Sequence, residues 1–346
     1  MTFTKDIEAP FAGLSLVLKT AKNFTSSTPL ALWLSQAQPS PNWIPLPRLN
    51  GVTKVMPVLP KPVLYPNLMQ SICQRISQDS LVEWEQKPYE LTGVEIDTHA
   101  LHIIQVSISA SKPLPPTLGR AIHALCFQWF AIADPALAEH LHQQDSMPMT
   151  LVMQYNSSQK MYLRISLLRK ELLAPLLWGL SANLGGEVEL AGVLCRLSDR
   201  VNISQTSSFE KLAQVVNASD VQKNCAIALQ FLSPTSFKQN KTVQPFPLPE
   251  LVFNGLLRRW NRFAPQELQF PAVEWESVVC AYDLKTHALK MEAGAEIGVQ
   301  GWVKYRFLDE EQAKIATILA HFASFAGVGR KTAMGMGQVR LFQSKI

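Results

Sequence analysis

The sequence has no long apolar run and comparatively little charge. Charged residues make up 17% of the 346 residues, and hydrophobic residues make up 47%. A chain disordered throughout, or a coiled coil, carries much more charge than this. No apolar run approaches the roughly 20 residues of a membrane-spanning helix. The first residues include acids and no apolar segment, so we expect no secretory signal. We expect a globular protein of two to three domains, at about 150 residues per domain.

Cysteine and histidine are sparse and scattered. The five cysteines include no CxxC pair, which leaves neither a disulfide framework nor a zinc-binding spacing. Each lies in apolar surroundings, so we predict reduced, buried thiols and a cytoplasmic protein. Four histidines form no cluster with acids or thiols at metal-ligand spacing, namely His99, His102, His287 and His321. We therefore predict no metal site and no cofactor.

Proline is concentrated in the N-terminal part of the chain. Eleven of the 23 prolines fall within residues 1–90, and eight of these lie between Pro39 and Pro66. Such a run disfavours long helices and central strands. Apolar residues such as Trp43 and Val58 make it too apolar for a free linker. We predict that residues 1–95 form a Pro-rich extension that wraps over a folded body and offers a docking arm for another protein.

A regular pattern of strands and helices begins near residue 98. Alternating Ile104, Val106 and Ile108 indicate a strand, and an Asp134-Pro135 pair is typical of a helix start. The predicted elements are a strand at 101–109, a helix at 117–131, a short helix opened by Asp134, strands at 150–155 and 160–167, a helix at 170–180 and a strand at 187–197. This order is the β-α-β-β-α-β unit of the ferredoxin-like fold.

The same order recurs in the C-terminal part. The predicted elements are a strand at 225–231, a helix at 249–263, strands at 277–285 and 299–307, a helix capped by Asp309 and ending at Gly327, and a strand at 335–342. The sequence therefore predicts an α+β protein with tandem ferredoxin-like (RRM-like) domains. We place the first domain at 96–200 and the second at 220–346.

A glycine-rich loop precedes the final strand. Gly327 and Gly329 are followed five residues later by Gly335 and Gly337. The loop follows a helix and precedes a strand, which is the reverse of a dinucleotide fingerprint, and it lacks the ending of a Walker A loop. Glycines allow backbone N–H groups to approach phosphate oxygens. The stretch from Ala326 to Ile346 contains no acidic residue. Besides the penultimate lysine, it contains three cations, namely Arg330, Lys331 and Arg340. We predict binding to a polyanion backbone; the alternative is a turn with solvated basic residues.

A second basic group lies on the helix predicted at 249–263 and in the loop before it. Arg258 and Arg262 are four residues apart and so share a helix face, with Arg259 adjacent. Lys238 and Lys241 precede the helix. With the glycine-rich loop, these residues are predicted to line a cleft between the domains that binds a polyanion backbone, and each phosphate contact adds to the salt dependence of binding. A solvated basic helix face is the alternative.

Several stretches together resemble one protein family. The glycine pattern resembles the C-terminal signature of the RAMP superfamily of CRISPR-associated proteins, and within it the chain resembles the sixth Cas (Cas6-type) family. The further similar stretches are Leu118–His123, Asp134–His142, Ser233–Phe237, Phe246–Pro249, Leu257–Asn261 and Gly301–Phe307. The resemblance covers residues 98–346. It implies a metal-independent endoribonuclease that cuts CRISPR precursor RNA within the repeat, by attack of a 2′-OH that leaves a 2′,3′-cyclic phosphate and a 5′-OH.

The resemblance also implies which residues carry the chemistry. His142 matches the family's histidine, and imidazole suits proton transfer near neutral pH. His140, two residues earlier, is a second candidate or a bystander. The family's tyrosine position falls near Phe127, which cannot donate a proton, and no lysine follows His142 closely. Lys160, Arg164 or a residue of the second domain is left to supply the cation. His123 is predicted to be a packing residue of the first helix.

The missing tyrosine and lysine keep a second function open. In that alternative the protein is a non-catalytic RNA-binding subunit that holds the repeat-derived end in an effector or integration complex. An unrelated ferredoxin-like enzyme acting on small molecules is a third possibility, for which the sequence offers no pocket constellation. The predicted partners are CRISPR repeat RNA and, through residues 1–95, other Cas proteins.

Overall fold

The computed structural model describes residues 11–21, 27–35, 37–48, 52–78, 80–115, 118–215, 225–291 and 294–342. The strands are β1 Gly13–Thr20, β2 Thr28–Pro29, β3 Asn42–Pro45, β4 Thr53–Val58, β5 Leu81–Trp84, β6 Lys87–Asp97, β7 Leu101–Ala110, β8 Met149–Ser157, β9 Lys160–Leu167, β10 Glu187–Leu190, β11 Val193–Ser207, β12 Ala226–Thr235, β13 Phe237–Gln239, β14 Thr242–Gln244, β15 Ser277–Met291, β16 Gly294–Phe307 and β17 Val339–Leu341. The helices are α1 Leu30–Trp33, α2 Tyr65–Ile76, α3 Gly119–Ala133, α4 Pro135–His142, α5 Leu173–Ser181, α6 Phe209–Ala213, α7 Pro249–Phe263 and α8 Glu310–Ala326.

The first ferredoxin-like unit is a sheet in the order β10-β11-β7-β9-β8, with α3 and α5 packed against it. Inward residues of β7, such as Ile104 and Val106, are fully buried, as the predicted alternation requires. One expected strand differs: the run at 187–197 is the hairpin β10–β11, turned at Ala191 and Gly192, which both have positive φ. β11 then continues to Ser207 and pairs with β7. Residue 117, where we expected α3 to begin, lies outside the described residues.

The second unit repeats this arrangement. Its sheet has the order β15-β16-β12-β17, and α7 and α8 bury their apolar faces in the same core. Asp309 caps α8 by accepting a hydrogen bond from the Gln312 N–H at 2.8 Å, and Gly327 ends the helix with φ 65°. Both predictions are confirmed. The chain therefore has the predicted α+β fold with tandem ferredoxin-like units.

The N-terminal part is folded, which corrects the expectation of an extended arm. A six-stranded sheet in the order β2-β5-β6-β1-β4-β3 has its own buried core, which includes Trp33, Tyr65 and Tyr89. Pro57 is tolerated in β4 because it faces β3, past the stretch that pairs with β1. The division at 1–95, 96–200 and 220–346 stays a prediction; β6 spans Lys87–Asp97 and β11 ends at Ser207.

The C-terminal end of α8 joins the two ferredoxin-like units. The Thr150 hydroxyl of β8 donates to the Phe325 carbonyl at 3.1 Å, and the Arg164 guanidinium of β9 donates to the Ser324 carbonyl at 2.6 Å. Side chains of the first unit thus satisfy carbonyls that the helix end leaves unpaired. This junction places the glycine-rich loop that follows α8 beside α3 and β8.

Two sequence expectations concern the surface. All five cysteines are free, but Cys73 and Cys280 are exposed, so the expectation of buried thiols fails for these two. Successive side chains alternate across a strand and rotate around a helix, so a residue with apolar neighbours in sequence can still point to solvent. In the described part of the chain, none of the helices is both long and apolar enough to cross a membrane.

Candidate active site and nucleic-acid interface

A cleft of about 880 Å³ lies between the segment after α4 and the second ferredoxin-like unit. Asp145, Ser146 and Met147 form its first wall; α7, β13 and the glycine-rich loop form the second. Its acidic lining residues are Asp145 and Glu250. Its cationic lining residues are Lys238, Arg258, Arg259, Arg262, Arg330 and Lys331. The excess of cations fits a ligand with a polyanionic backbone.

Arg258 and Arg262 stand one turn apart on the exposed side of α7. The opposite side of the helix is apolar and buries Leu256 and Trp260, so the two arginines face the cleft. Lys238, at the start of β13, is also exposed there. Among the described residues, these three cations form no ion pair with a carboxylate. They are therefore available to phosphate groups.

Arg259 lines the cleft but bonds within the protein. Its guanidinium donates to the Thr332 hydroxyl and to the Met147 carbonyl, both at 2.9 Å. Burial lowers the pKa of the Arg259 guanidinium from its ordinary value to about 10. Since Thr332 and Met147 lie on opposite walls, Arg259 bridges the cleft. Its geometry favours this structural role over the phosphate contact predicted from sequence.

The glycine-rich loop is held by its own backbone. Val328 N–H donates to the Gly337 carbonyl at 2.8 Å, Gly337 N–H to the Pro234 carbonyl at 3.1 Å, and Arg330 N–H to the Ser236 carbonyl at 2.9 Å. A Cβ at Gly329 would lie 2.3 Å from the Ser236 oxygen, and one at Gly337 would lie 2.1 Å from the Val328 oxygen. These two glycines thus serve close packing of backbone, and the N–H groups named here are not free to bind phosphate.

Arg330 and Lys331 share one carboxylate that the sequence pattern did not reveal. Glu296, on β16, accepts from Arg330 Nη1 at 2.6 Å and from Lys331 Nζ. The absence of acids near the loop in sequence therefore does not extend to its surroundings in space. Only the fold of the β15–β16 hairpin brings Glu296 to the loop.

Four predicted residues differ in their surroundings from the cleft-lining set. Lys241 lies in the turn between β13 and β14, and Gly335 follows the turn Thr332–Met334 with φ 96°. Arg340 Nε donates to the Gln230 side chain at 2.9 Å on the sheet surface. His140 is exposed, with Nε2 2.9 Å from Gln144 Nε2. None of the four belongs to the described lining of the cleft.

His142 is exposed at the C-terminal end of α4, three residues before the cleft wall begins at Asp145. Asp134 caps α4, as predicted, and accepts from the Ala136 and Leu137 N–H groups at 3.0 and 3.3 Å. The His142 ring stacks on Phe127, with ring centroids 3.8 Å apart. Phe127 therefore does lie beside the histidine, where the resemblance placed a tyrosine.

His123, predicted to be a packing residue, does pack on Phe127, and it also approaches His142, which was not predicted from the sequence. Its ring centroid lies 4.6 Å from that of Phe127 and 6.0 Å from that of His142. Burial and the neighbouring His142 lower the pKa of His123. The signal was its position one turn before Phe127 on α3, which puts both side chains on one helix face.

The two cation candidates of the first unit lie elsewhere. Arg164 is buried at the junction with α8, where it also donates to the Ser166 hydroxyl at 2.9 Å, and burial lowers its pKa to about 10. Lys160 is exposed at the start of β9. Neither is part of the described cleft lining.

A separate acid–histidine contact lies at the start of β7. Asp97 carboxylate oxygens are 2.9 Å from His99 Nδ1 and from His102 Nε2, and His102 is fully buried. This contact corrects the expectation that His99 and His102 form no cluster with an acid. Within the described residues, no three or more His, Cys, Asp or Glu side chains are arranged to hold a metal ion. The predicted independence from metal stays a prediction.

Comparisons with known proteins agree on one family. A family model described as CRISPR-associated endoribonuclease Cas6 matches residues 229–339. The Cas6 endoribonuclease of Streptococcus thermophilus is 24% identical over 153 residues, covering 42% of this chain and 62% of that protein, which is less than two thirds of its length. That of Mycobacterium tuberculosis (strain CDC 1551 / Oshkosh) is 24% identical over 261 residues, covering 70% of this chain and 79% of that protein.

Solved structures show the same relationship. A Thermus thermophilus Cas6 product complex has a TM-score of 0.63 at 25% identity and covers 70% of this chain and 100% of that one. A second Cas6 product complex has a TM-score of 0.58 at 26% identity with the same coverage. The fold, the family match and these relatives concur: the chain is similar to Cas6-type CRISPR-associated endoribonucleases.

Proposed function

We propose that this protein cuts CRISPR precursor RNA within the repeat, without metal, and leaves a 2′,3′-cyclic phosphate and a 5′-OH. The observation that carries the proposal is the pair His142 and His123, whose ring centroids lie 6.0 Å apart. His142 comes three residues before Asp145, where the wall of the cation-lined cleft begins. Attack of a 2′-OH on the adjacent phosphate needs a base for the hydroxyl and an acid for the leaving oxygen. Two imidazoles on either side of one phosphodiester can supply both.

The environment of His123 supports an assignment of the two roles. The lowered pKa of His123 keeps this imidazole neutral at neutral pH, so it accepts the 2′-OH proton. His142 then donates a proton to the departing 5′-oxygen. The exposed Lys238, Arg258 and Arg262 bind the RNA backbone and offset charge that develops on the phosphorane. His140 is a bystander in this mechanism, because its ring nitrogen contacts Gln144.

One observation favours a second function. Phe127 occupies the position where a tyrosine would supply a proton donor, and it is buried against His142. A chain with that position filled by an inert ring can serve as a non-catalytic subunit that holds the repeat-derived end of the RNA. His123 argues for the nuclease, because it brings a titratable group to the same place.

The test is cleavage of end-labelled repeat RNA in excess EDTA by the wild-type protein and by His142→Ala, with His140→Ala as the matched control. We expect a single cut that survives chelation, is lost in His142→Ala and persists in His140→Ala. Loss in the control instead would move the catalytic role to His140. Tight binding with no cut by the wild type would establish the RNA-holding subunit.

A substrate whose 5′-bridging oxygen is replaced by sulfur distinguishes the role of the base from that of the acid. A thiolate leaves without a proton, so this substrate makes the acid dispensable. We expect it to restore cleavage by His142→Ala and not by His123→Ala. The reverse pattern would exchange the two roles.

The finer predictions on partners and place belong to the same proposal. Because the proposed substrate is a cellular transcript, the proposed location of the protein is the cytoplasm. In the N-terminal part, Leu32 of α1 is 62% exposed and Val63, in the turn before α2, is 61% exposed; docking of this part to another Cas protein is a proposal. Co-elution of the purified chain with each neighbouring Cas protein, before and after Leu32→Asp and Val63→Asp, would test it.

A further inference from the structure

The carboxylate of Glu296 lies between two of the six cations that line the cleft. It bonds Arg330 Nη1 at 2.6 Å and Lys331 Nζ, and its side chain is only 11% exposed, whereas each cation is 31% exposed. The three groups together carry one net positive charge in place of two. A phosphate that approaches the loop therefore meets a site whose charge is partly cancelled.

The glycine-rich loop does not need this contact to keep its backbone in place. The Val328, Arg330 and Gly337 N–H groups are each bonded to a backbone carbonyl, independently of any side chain. The turn also continues from a packed helix, since Gly327 N–H donates to the Ala323 carbonyl at 2.8 Å. Neutralising Glu296 thus changes the charge of the loop and leaves its path unchanged.

The cleft consequently has two kinds of cation. Lys238, Arg258 and Arg262 have no carboxylate partner among the described residues, whereas Arg330 and Lys331 are paired. Any flexible RNA can reach the free cations with its phosphates. Using the paired cations as well requires a phosphate held where it can compete with Glu296, which demands a defined backbone geometry.

We propose that Glu296 is a specificity-determining residue of the RNA site: it weakens binding of phosphodiester backbones that do not have the geometry of the repeat. This inference deepens the function proposed above and rests on it. Each cation that neutralises a phosphate releases counterions, so a cation paired with a carboxylate contributes less to sequence-independent affinity. Discrimination is a difference between two affinities, and weakening the wrong ligand increases it.

The experiment measures dissociation constants of repeat RNA and of an oligouridine of equal length across a salt series, for the full-length wild-type protein and for Glu296→Gln. The control is Glu250→Gln, which makes the same charge change in the same cleft at an exposed carboxylate. Glu296→Gln is expected to bind oligouridine about fivefold more tightly, the size of one modest charge contact. Its salt slope is expected to steepen by about 0.7 for each phosphate gained.

Repeat RNA is expected to gain less, so the ratio of the two affinities falls. Glu250→Gln is expected to leave the salt slopes unchanged. An unchanged oligouridine slope in Glu296→Gln, or weaker binding of both RNAs, would overturn the inference, because it would mean that the carboxylate only positions the cations. The oligouridine measurement decides this whether or not the protein prefers repeats. A wild-type protein that binds both RNAs equally would instead count against the proposed function.

Discussion

Replacing Arg259 by methionine tests whether a buried guanidinium holds the two walls of the cleft together. The substitution removes donors to the Thr332 hydroxyl and the Met147 carbonyl. Two hydrogen bonds from a charged group are worth about 3–6 kcal/mol together. Burial opposes this gain: lowering the pKa of the guanidinium from its ordinary value to about 10 corresponds to about 3 kcal/mol of unfavourable desolvation. The net expected loss is the difference, about 0–3 kcal/mol of unfolding free energy.

Arg258→Met is the matched control, because Arg258 is exposed and has no ion-pair partner in the described part of the chain. Its unfolding free energy is expected to change by less than about 0.5 kcal/mol. Urea unfolding measures both variants. The salt dependence of RNA binding should respond the other way round, with the larger change in Arg258→Met. Arg258→Met loses a phosphate contact and its salt slope flattens, whereas Arg259→Met loses affinity through misplaced walls and keeps its slope.

Two results would refute this reasoning. A flattened salt slope in Arg259→Met would show that its guanidinium reaches phosphate despite its internal bonds. A loss of more than about 5 kcal/mol would show that desolvation of the charge costs much less than the lowered pKa implies.

Further predictions concern the cations, the histidine pair and the loop. Arg258→Ala combined with Arg262→Ala should lower repeat-RNA affinity and flatten its salt slope more than either change alone; unchanged binding would remove α7 from the interface. In the His142→Ala variant the pKa of His123, followed by NMR, should rise toward 6.5, because one of its two causes is gone. Because the pKa of His123 is lowered in the folded protein, His123 of the unfolded chain binds a proton first as the pH falls below 6.5. The free energy of unfolding should therefore decrease over that range, and it should decrease less in His142→Ala. Gly337→Ala should cost at least about 2 kcal/mol in thermal or urea unfolding, because φ is 72° and the new Cβ would meet the Val328 oxygen; an unchanged transition would contradict the close packing of the loop.

Local patterns predicted the ferredoxin-like units well. Hydrophobic periodicity and a proline at the first helical position placed α7 at Pro249–Phe263, and the Asp134 and Asp309 caps were readable because capping depends on adjacent residues. The N-terminal sheet was missed because proline was counted without strand register. Only the register shows that Pro57 faces β3 beyond the part of β4 that pairs with β1.

The candidate site was predictable in part, for a related reason. His142 and the α7 arginines belong to contiguous stretches that resemble the family. The approach of His123 to His142 depends on how α3 packs beside α4, and the pairing of Glu296 depends on a hairpin that ends far from the loop in sequence. Contacts of this kind arise from tertiary packing, which single-sequence patterns do not encode.

The self-contained backbone of the glycine-rich loop has an evolutionary consequence. Exposed side chains such as Lys238, Arg258 and Arg262 lie on β13 and α7, and they take no part in the backbone hydrogen bonds named above for the loop. Mutations at these positions can therefore accumulate without unfolding the protein. A lineage whose repeats drift in sequence can follow that drift by changing surface residues alone, while the glycines and the buried bridge of Arg259 stay fixed.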